Sequence, residues 1–344
     1  MNNNKGIKMN KLTKAGVSAL CGSLAAVSVA NAGEMSVAGY IDTTWMSLDD
    51  AVTGNPIGIG SNYSITGTSD LENGWTVKLN TDLANAGGYS NTHVNLTIPG
   101  IGDIRLDQGL SATGIHVFDD ATPTVWEEAD GAGLSMGATK IAGVSAAGNI
   151  QYTPSMTPDG LTATLTFSPD ADGGSTVGDR AAGGDSGRLA SGWDVTLTAT
   201  DALTGMTGLK LYGGFSAIDQ HQEDATINDD KQEVVLGFSY AAGAFTVGAQ
   251  ASDADNGAVS SNTGYDNMAY SVVFNVNDDL SIGYQHSESE RNSSTNVTAE
   301  TDALTIGYSY GGASFRIKEV NVDNQTYTVG TDKEATIISL GIAF

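Results

Sequence analysis

Apolar and polar positions alternate with a period of two along most of this chain, in short segments. In Leu161–Phe167, Leu161, Ala163, Leu165 and Phe167 hold one phase and Thr162, Thr164 and Thr166 the other. Successive side chains point to opposite faces of a strand, so this is a strand with one apolar face and one small polar face. The same pattern runs from Met35, Val37, Gly39 and Ile41 to about Trp45, and through Tyr63, Ile65 and Gly67. It returns in Val77, Leu79 and Leu83, in Val94, Leu96 and Ile98, in Ile104 and Leu106, and weakly over 149–156. Further strands are expected to start near Trp193, Leu209, Glu233, Phe245, Asn267, Leu280, Asp302, Ala313 and Ala335. The total is sixteen, to within about two.

The final strand shows what the pattern serves. Ile338, Leu340, Ile342 and Phe344 fall on one face; Ser339, Gly341, Ala343 and, less comfortably, Ile337 fall on the other. A bare apolar strand at a chain end frays in water. In lipid, a closed barrel needs such a strand to pair with the first one and leave no edge. The connections alternate as well. Tight turns at Asp70–Gly74, Pro99–Gly102, Thr157–Gly160, Ala241–Gly243, Asn277–Asp279 and Gly311–Gly312 are each followed by a longer polar loop, and Asp201–Gly208 is the longest on the short side. A Greek-key sandwich mixes its connection lengths more freely. The fold expected is an all-β, 16-stranded antiparallel transmembrane up-and-down β-barrel with short periplasmic turns and long extracellular loops. Its Thr-, Ser-, Asn- and Gly-rich face suits a wet lumen rather than a packed interior. Tyr240, Tyr270, Tyr284 and Tyr308 are candidates for interface girdles.

Composition adds the route to the membrane. Lys11 and Lys14, the mildly apolar stretch Ala15–Val29 and the small-residue site Ala30-Asn31-Ala32 read as a secretory signal over 1–32, with Met9 as an alternative start. Cleavage at Ala30 and Ala32 leaves residues 33–344 as the barrel. It removes four lysines and no acid, so 11 basic face 40 acidic residues, a formal charge of −29. It also removes Cys21, the one cysteine, and with it any disulfide chemistry. Such acidity excludes nucleic acid as a partner.

The insertion over 108–148 carries the candidate chemistry. Asp119, Asp120, Glu127, Glu128 and Asp130 surround Thr122-Pro123-Thr124-Val125-Trp126, and acids at a narrow passage favour cations. Lys78, Arg105, Lys210, Arg316 and Lys318 fall on the polar phase of their strands and are the candidate pore-wall bases. The letters Gly184-Asp185-Ser186-Gly187 match a serine nucleophile, but nothing supplies a triad around them. The acid-rich loops over 170–185, 219–230 and 253–266 lack an EF-hand pattern and suit at most loosely held Ca²⁺. The histidines form no transition-metal spacing, so no metal site, organic cofactor or catalysed reaction is expected.

Gly67-Thr68-Ser69-Asp70-Leu71-Glu72-Asn73-Gly74-Trp75-Thr76 resembles the turn between the second and third strands of Gram-negative general porins. Gly102-Asp103-Ile104-Arg105-Leu106 resembles the strand that feeds their constriction loop, and Phe344 resembles their terminal aromatic residue. With the Thr- and Gly-rich style of marine alphaproteobacterial porins, the resemblance spans the mature chain. It implies a water-filled barrel in the outer membrane, a homotrimer in contact with lipid and lipopolysaccharide, and a third loop folded inward. The implied function is passive diffusion of small hydrophilic solutes and cations. A substrate-specific channel and a secreted acidic β-rich adhesin remain as alternatives.

Overall fold

The computed structural model describes residues 33–49, 54–85, 88–109, 113–131, 133–172, 188–221, 229–258 and 264–344. The expected signal segment and Gly184–Gly187 lie outside the described residues. The wall begins with β1 (Glu34–Asp49), β2 (Ile57–Asp70), β3 (Thr76–Ala84), β4 (Gly88–Ile98) and β5 (Gly102–Asp107). After the long insertion come β6 (Asn149–Pro154), β7 (Leu161–Ser168), β8 (Leu189–Ala199), β9 (Leu209–Gln220) and β10 (Lys231–Ala242). The rest are β11 (Phe245–Asp255), β12 (Gly264–Asn275), β13 (Leu280–Asn292), β14 (Val297–Tyr310), β15 (Ala313–Asp323) and β16 (Lys333–Ala343). Each strand pairs antiparallel with its neighbours in sequence, and β1 pairs with β16 to close the barrel.

The closing register runs from Tyr40 opposite Ala343 to Asp49 opposite Glu334. Beyond it, Gly39 and Phe344 exchange two backbone hydrogen bonds of 3.0 Å. A Cβ on Gly39 would lie 3.2 Å from the Phe344 ring, so glycine leaves room for the terminal aromatic residue. Leu340, Ile342 and Phe344 are exposed on the outer surface, in phase with Ile41 and Trp45 across the seam. The same outward phase carries Val234, Leu236 and Phe238 on β10 and Leu304, Ile306 and Tyr308 on β14, all exposed. A continuous apolar exterior of this kind is a lipid-facing belt. Tyr270, Tyr284 and Tyr308 are also exposed, and Tyr240 is half-buried.

Local chemistry fixes the turns. At the β2–β3 hairpin the Trp75 amide donates to Asn73 Oδ1 (3.1 Å) and the Thr76 hydroxyl to Asp70 (2.7 Å). Gly74 stands at φ +81°, a conformation that glycine adopts without a Cβ penalty. The connection over 200–208 contains a single helical turn, α1 (Asp201–Thr204).

Two features depart from expectation. Connections on the long-loop side are not uniformly long: β3 and β4 are joined by 85–87, and β13 and β14 by 293–296. There the strands go on pairing, as in Arg291 opposite Val297. Several strands also start earlier than expected, β8 at Leu189, β12 at Gly264 and β14 at Val297. Their outward residues are polar there, as Thr298 and Glu300 are on β14, so the lipid-face alternation is missing while backbone pairing continues.

Candidate functional site

The insertion leaves the wall after the short β5 and returns at β6. At its start Asp107 accepts the Gly109 amide (2.8 Å), which turns the chain inward. Asp194, on the inner face of β8 and fully buried, then fastens both limbs. It accepts the amide of Ile115 on the outgoing limb (3.0 Å) and of Val144 on the returning limb (3.3 Å). Gly114 and Gly143 sit at positive φ against it, where a Cβ would approach its carboxylate within 2.0 and 2.2 Å. Glu233 on β10, 2% exposed, accepts the amides of Ala142 (3.0 Å) and Gly143 (2.5 Å) and pairs with Lys231 at 2.7 Å.

Between these anchors the loop lies on the wall. Ile115, Phe118 and Ile141 pack with Tyr212 and Val235; Leu134 and Met136 pack with Val320, Val322, Tyr327 and Ile337. Pro123 rests on Gly248 and Val125 on Gly283 and Gly307, where a Cβ would intrude to 2.3 and 2.7 Å. Thr122 accepts from Gln285 (2.6 Å), whose Oε1 accepts the Ala129 amide. The apolar core of this barrel is therefore the layer between loop and wall. Ile337, ill-matched to a watery face in the sequence, is buried in that layer.

The five acids of the loop divide by surroundings. Asp120 and Glu127 are exposed. Asp119 lies 3.6 Å from His116, and Glu128 lies 3.4 Å from Lys140, a base within the insertion that the sequence reading passed over. Asp119, Asp120, Glu128 and Lys140 line one small cavity. Asp130 is tied down locally: it accepts the Ser135 hydroxyl (2.8 Å) and the Met136 amide (2.6 Å) and shapes a turn. The protein packed around these carboxyls partly desolvates even Asp120 and Glu127, which reach the surface, and raises Asp119, Asp120, Glu127 and Asp130 from their ordinary values.

The five candidate bases do not form one row. Arg105 pairs with Asp107 at 2.6 Å and meets His93 at 3.3 Å. Lys78 is exposed near the short-turn end of β3, and Lys210 stands 5.6 Å from the Tyr212 ring centroid at the same end of β9. Arg316 reaches Asp42 (3.6 Å) and Ser339 (3.3 Å), with its guanidinium 5.4 Å from the centre of the Trp126 ring. Lys318 is a correction. It has the inward phase expected of it, but it is fully buried beneath the loop, where its ammonium donates to the Glu128 carbonyl. Burial by the loop, which strand phase alone does not reveal, removes it from the open wall.

A family profile described as Gram-negative porin matches residues 16–331. The chain belongs to the Gram-negative porin family. This porin's fold is shared by OmpF of Salmonella typhi, solved in complex with daunomycin, at a TM-score of 0.67 and 11% identity over 91% of this chain and 98% of that one. An anion-selective porin from Comamonas acidovorans aligns at 0.63 and 14%, over 91% of this chain and all of that one. OmpT from the outer membrane of Vibrio cholerae aligns at 0.65 and 12%, over 92% of this chain and 99% of that one. A sequence search of curated proteins finds no match. The porin resides in the outer membrane as a general channel. The acid-rich outer loops fall largely outside the described residues, among which no three His, Cys, Asp or Glu side chains are grouped to hold a metal ion.

Proposed function

We propose that this porin passes small hydrophilic solutes by passive diffusion, prefers cations, and sets that preference at its inward loop. The observation that carries the reading is the charge balance along the passage. Asp120 and Glu127 are exposed on the loop, while Arg105 and Arg316 have acidic partners, Lys318 is covered, and the exposed Lys78 and Lys210 stand at the short-turn ends of their strands. Salt screens charges over about 8 Å at physiological ionic strength, so acids at the narrowest section count for more than those in the outer loops. The likeness to an anion-selective porin bears on the fold and leaves the sign of the preferred ion to the lumen residues of each chain. A homotrimer set in lipid and lipopolysaccharide belongs to the same proposal.

The test is the reversal potential of the detergent-purified protein in a planar bilayer under a KCl gradient. Wild type is expected to be cation-selective and to insert in three coordinated conductance steps. Neutralising Asp119, Asp120, Glu127 and Glu128 as amides should lower the preference more than neutralising an equal number of acids in the outer loops. Equal loss from both sets would remove the loop from the explanation.

A further inference from the structure

The returning limb of the inward loop is held by a second segment, the connection over 324–332 between β15 and β16. Three of its non-glycine residues stand in left-handed backbone: Asn324 (φ 52°), Thr326 (φ 55°) and Tyr327 (φ 57°). Bulky and β-branched residues rarely take this conformation, and it persists where the surroundings impose it. Here the inward loop imposes it. The Thr326 amide donates to the Met136 carbonyl (2.7 Å) and the Gln325 side chain to the Ser135 carbonyl (2.6 Å). The Tyr327 hydroxyl accepts the Thr139 amide (3.0 Å) and also meets Ser289 on β13 (2.8 Å), so one oxygen ties loop to wall. Resting on the channel reading above, we propose that this connection is a latch. Tyr327 is its positioning residue and holds the returning limb back from the passage.

The limb carries groups whose place matters. Thr139 is fixed from both sides, since its carbonyl accepts from Asn267 (3.3 Å). The next residue, Lys140, pairs with Glu128, and Met136, Ala138 and Lys140 line one cavity with Asp119 and Asp120. A displaced limb therefore displaces charge beside the passage. The Tyr327 ring is gripped as well as its hydroxyl. It is 7% exposed, with the Tyr265 ring 5.4 Å away and the Arg291 guanidinium 5.1 Å from its centre. Gly137, at φ +72°, completes the fit, because a Cβ there would lie 2.8 Å from the Thr326 methyl group. The base of the connection is fastened separately. The Asn324 amide donates to Asp332 (3.1 Å), its side chain donates to the Thr298 carbonyl (2.9 Å), and its Oδ1 accepts the Gly330 amide (3.0 Å). Ordinary core packing asks for neither a left-handed threonine nor a hydroxyl shared between loop and wall. Their coincidence marks the latch.

The experiment records single channels of the purified protein in symmetric KCl, where the sign of the preferred ion plays no part. Wild type should hold one level with rare, brief reductions. Tyr327→Phe keeps the ring and loses the hydroxyl. Its fraction of time below the full level should rise about ten-fold, the shift of a two-state equilibrium when one buried hydrogen bond is lost. Gln325→Ala, which loses the Ser135 contact, should act in the same direction and decides the matter if Tyr327→Phe does not fold. Adding Gly137→Cys and Thr326→Cys to Tyr327→Phe supplies the rescue. A Cβ on Gly137 lies 3.7 Å from the Thr326 Cβ, within disulfide reach, and Cys21 is the one native cysteine. Oxidation with diamide should restore the steady level, and dithiothreitol should undo the repair. Reductions that persist in the cross-linked protein overturn the latch. So does a steady current in Tyr327→Phe, and a lower unfolding temperature beside that steady current would make Tyr327 a packing residue. Absence of all conductance in folded wild type overturns the channel reading, and the latch with it.

Discussion

The inner face of this barrel has two halves that share one strand pattern and live in different solvents. On β1–β4, Tyr40, Asn62, Ser64, Asn80 and Asp82 face an open lumen and bond to one another, as Thr66 does to Asn80 (2.8 Å) and Asn80 to Asp82 (2.9 Å). On β8–β16 much of the same phase is covered by the loop, and Asp194, Ser216 and Lys318 are fully buried, while Ser314 and Arg316 still line the open passage. Side chains of the first half bond to one another beside the lumen; the loop's amides and carbonyls satisfy many in the second. Alternation thus sets the fold, while the residues that break the inner pattern (Ile218, Val235, Val320, Val322 and Ile337) lie on the covered half.

The sharpest break of this contrast is Asp194→Ala. It strands the Ile115 and Val144 amides, at a cost of about 2–5 kcal/mol for two unsatisfied buried donors. The expected outcome is a broad spread of single-channel conductances in place of one level, and unfolding at lower temperature on heat-modified gels. Ser64→Ala on the open half should leave both readouts unchanged; equal effects would erase the distinction.

Next in size is Gly248→Val. Its side chain would enter the space of Pro123 and push the loop into the passage, so conductance should fall with the fold intact, whereas Gly67→Val, where a Cβ meets nothing within 4 Å, should leave conductance unchanged.

A smaller effect comes from pH. Because partial desolvation raises the Asp120 and Glu127 carboxyls, they gain protons earlier as pH falls than an ordinary carboxylate does. Cation preference should therefore decline with a midpoint above about 4, the usual carboxylate range. The double variant Asp120→Asn with Glu127→Gln should flatten the profile; a wild-type midpoint at or below 4 would show that these groups do not set it. The smallest change is expected from Lys318→Gln, which should leave ion selectivity within error of wild type. A shift as large as that of the Asp120→Asn, Glu127→Gln double variant would return Lys318 to the conducting wall.

Most of the wall was legible in the sequence, because lipid on one side and small polar groups on the other impose a period of two on each strand. Tight turns were legible for the same local reason, as Asn73-Gly74 shows. Partition of the inner face was not. Whether Lys318 meets water depends on a loop nearly 200 residues away in the chain, and no local pattern encodes that packing. The acids of the insertion could be found as a group, yet Asp130 could not be told from Glu127, since one closes a turn and the other stands exposed. Lys140 lies on no strand, so strand phase does not reveal it. Lumen-phase apolar residues were the available signal for the covered half, and Ile337 carried it.

The seam between β1 and β16 has a consequence for assembly. Its partners, such as Tyr40 and Ala343, are separated by almost the whole chain, so none of its hydrogen bonds can form until β16 has been made. Until then two strand edges stand open, and an open edge in hydrocarbon leaves each unpaired backbone group several kcal/mol short. Closing so long a loop is also a slow, late event. The polypeptide must therefore be kept from aggregating as an unclosed sheet during its journey, and wall formation and membrane entry are expected to be a single concerted act that the final strand completes.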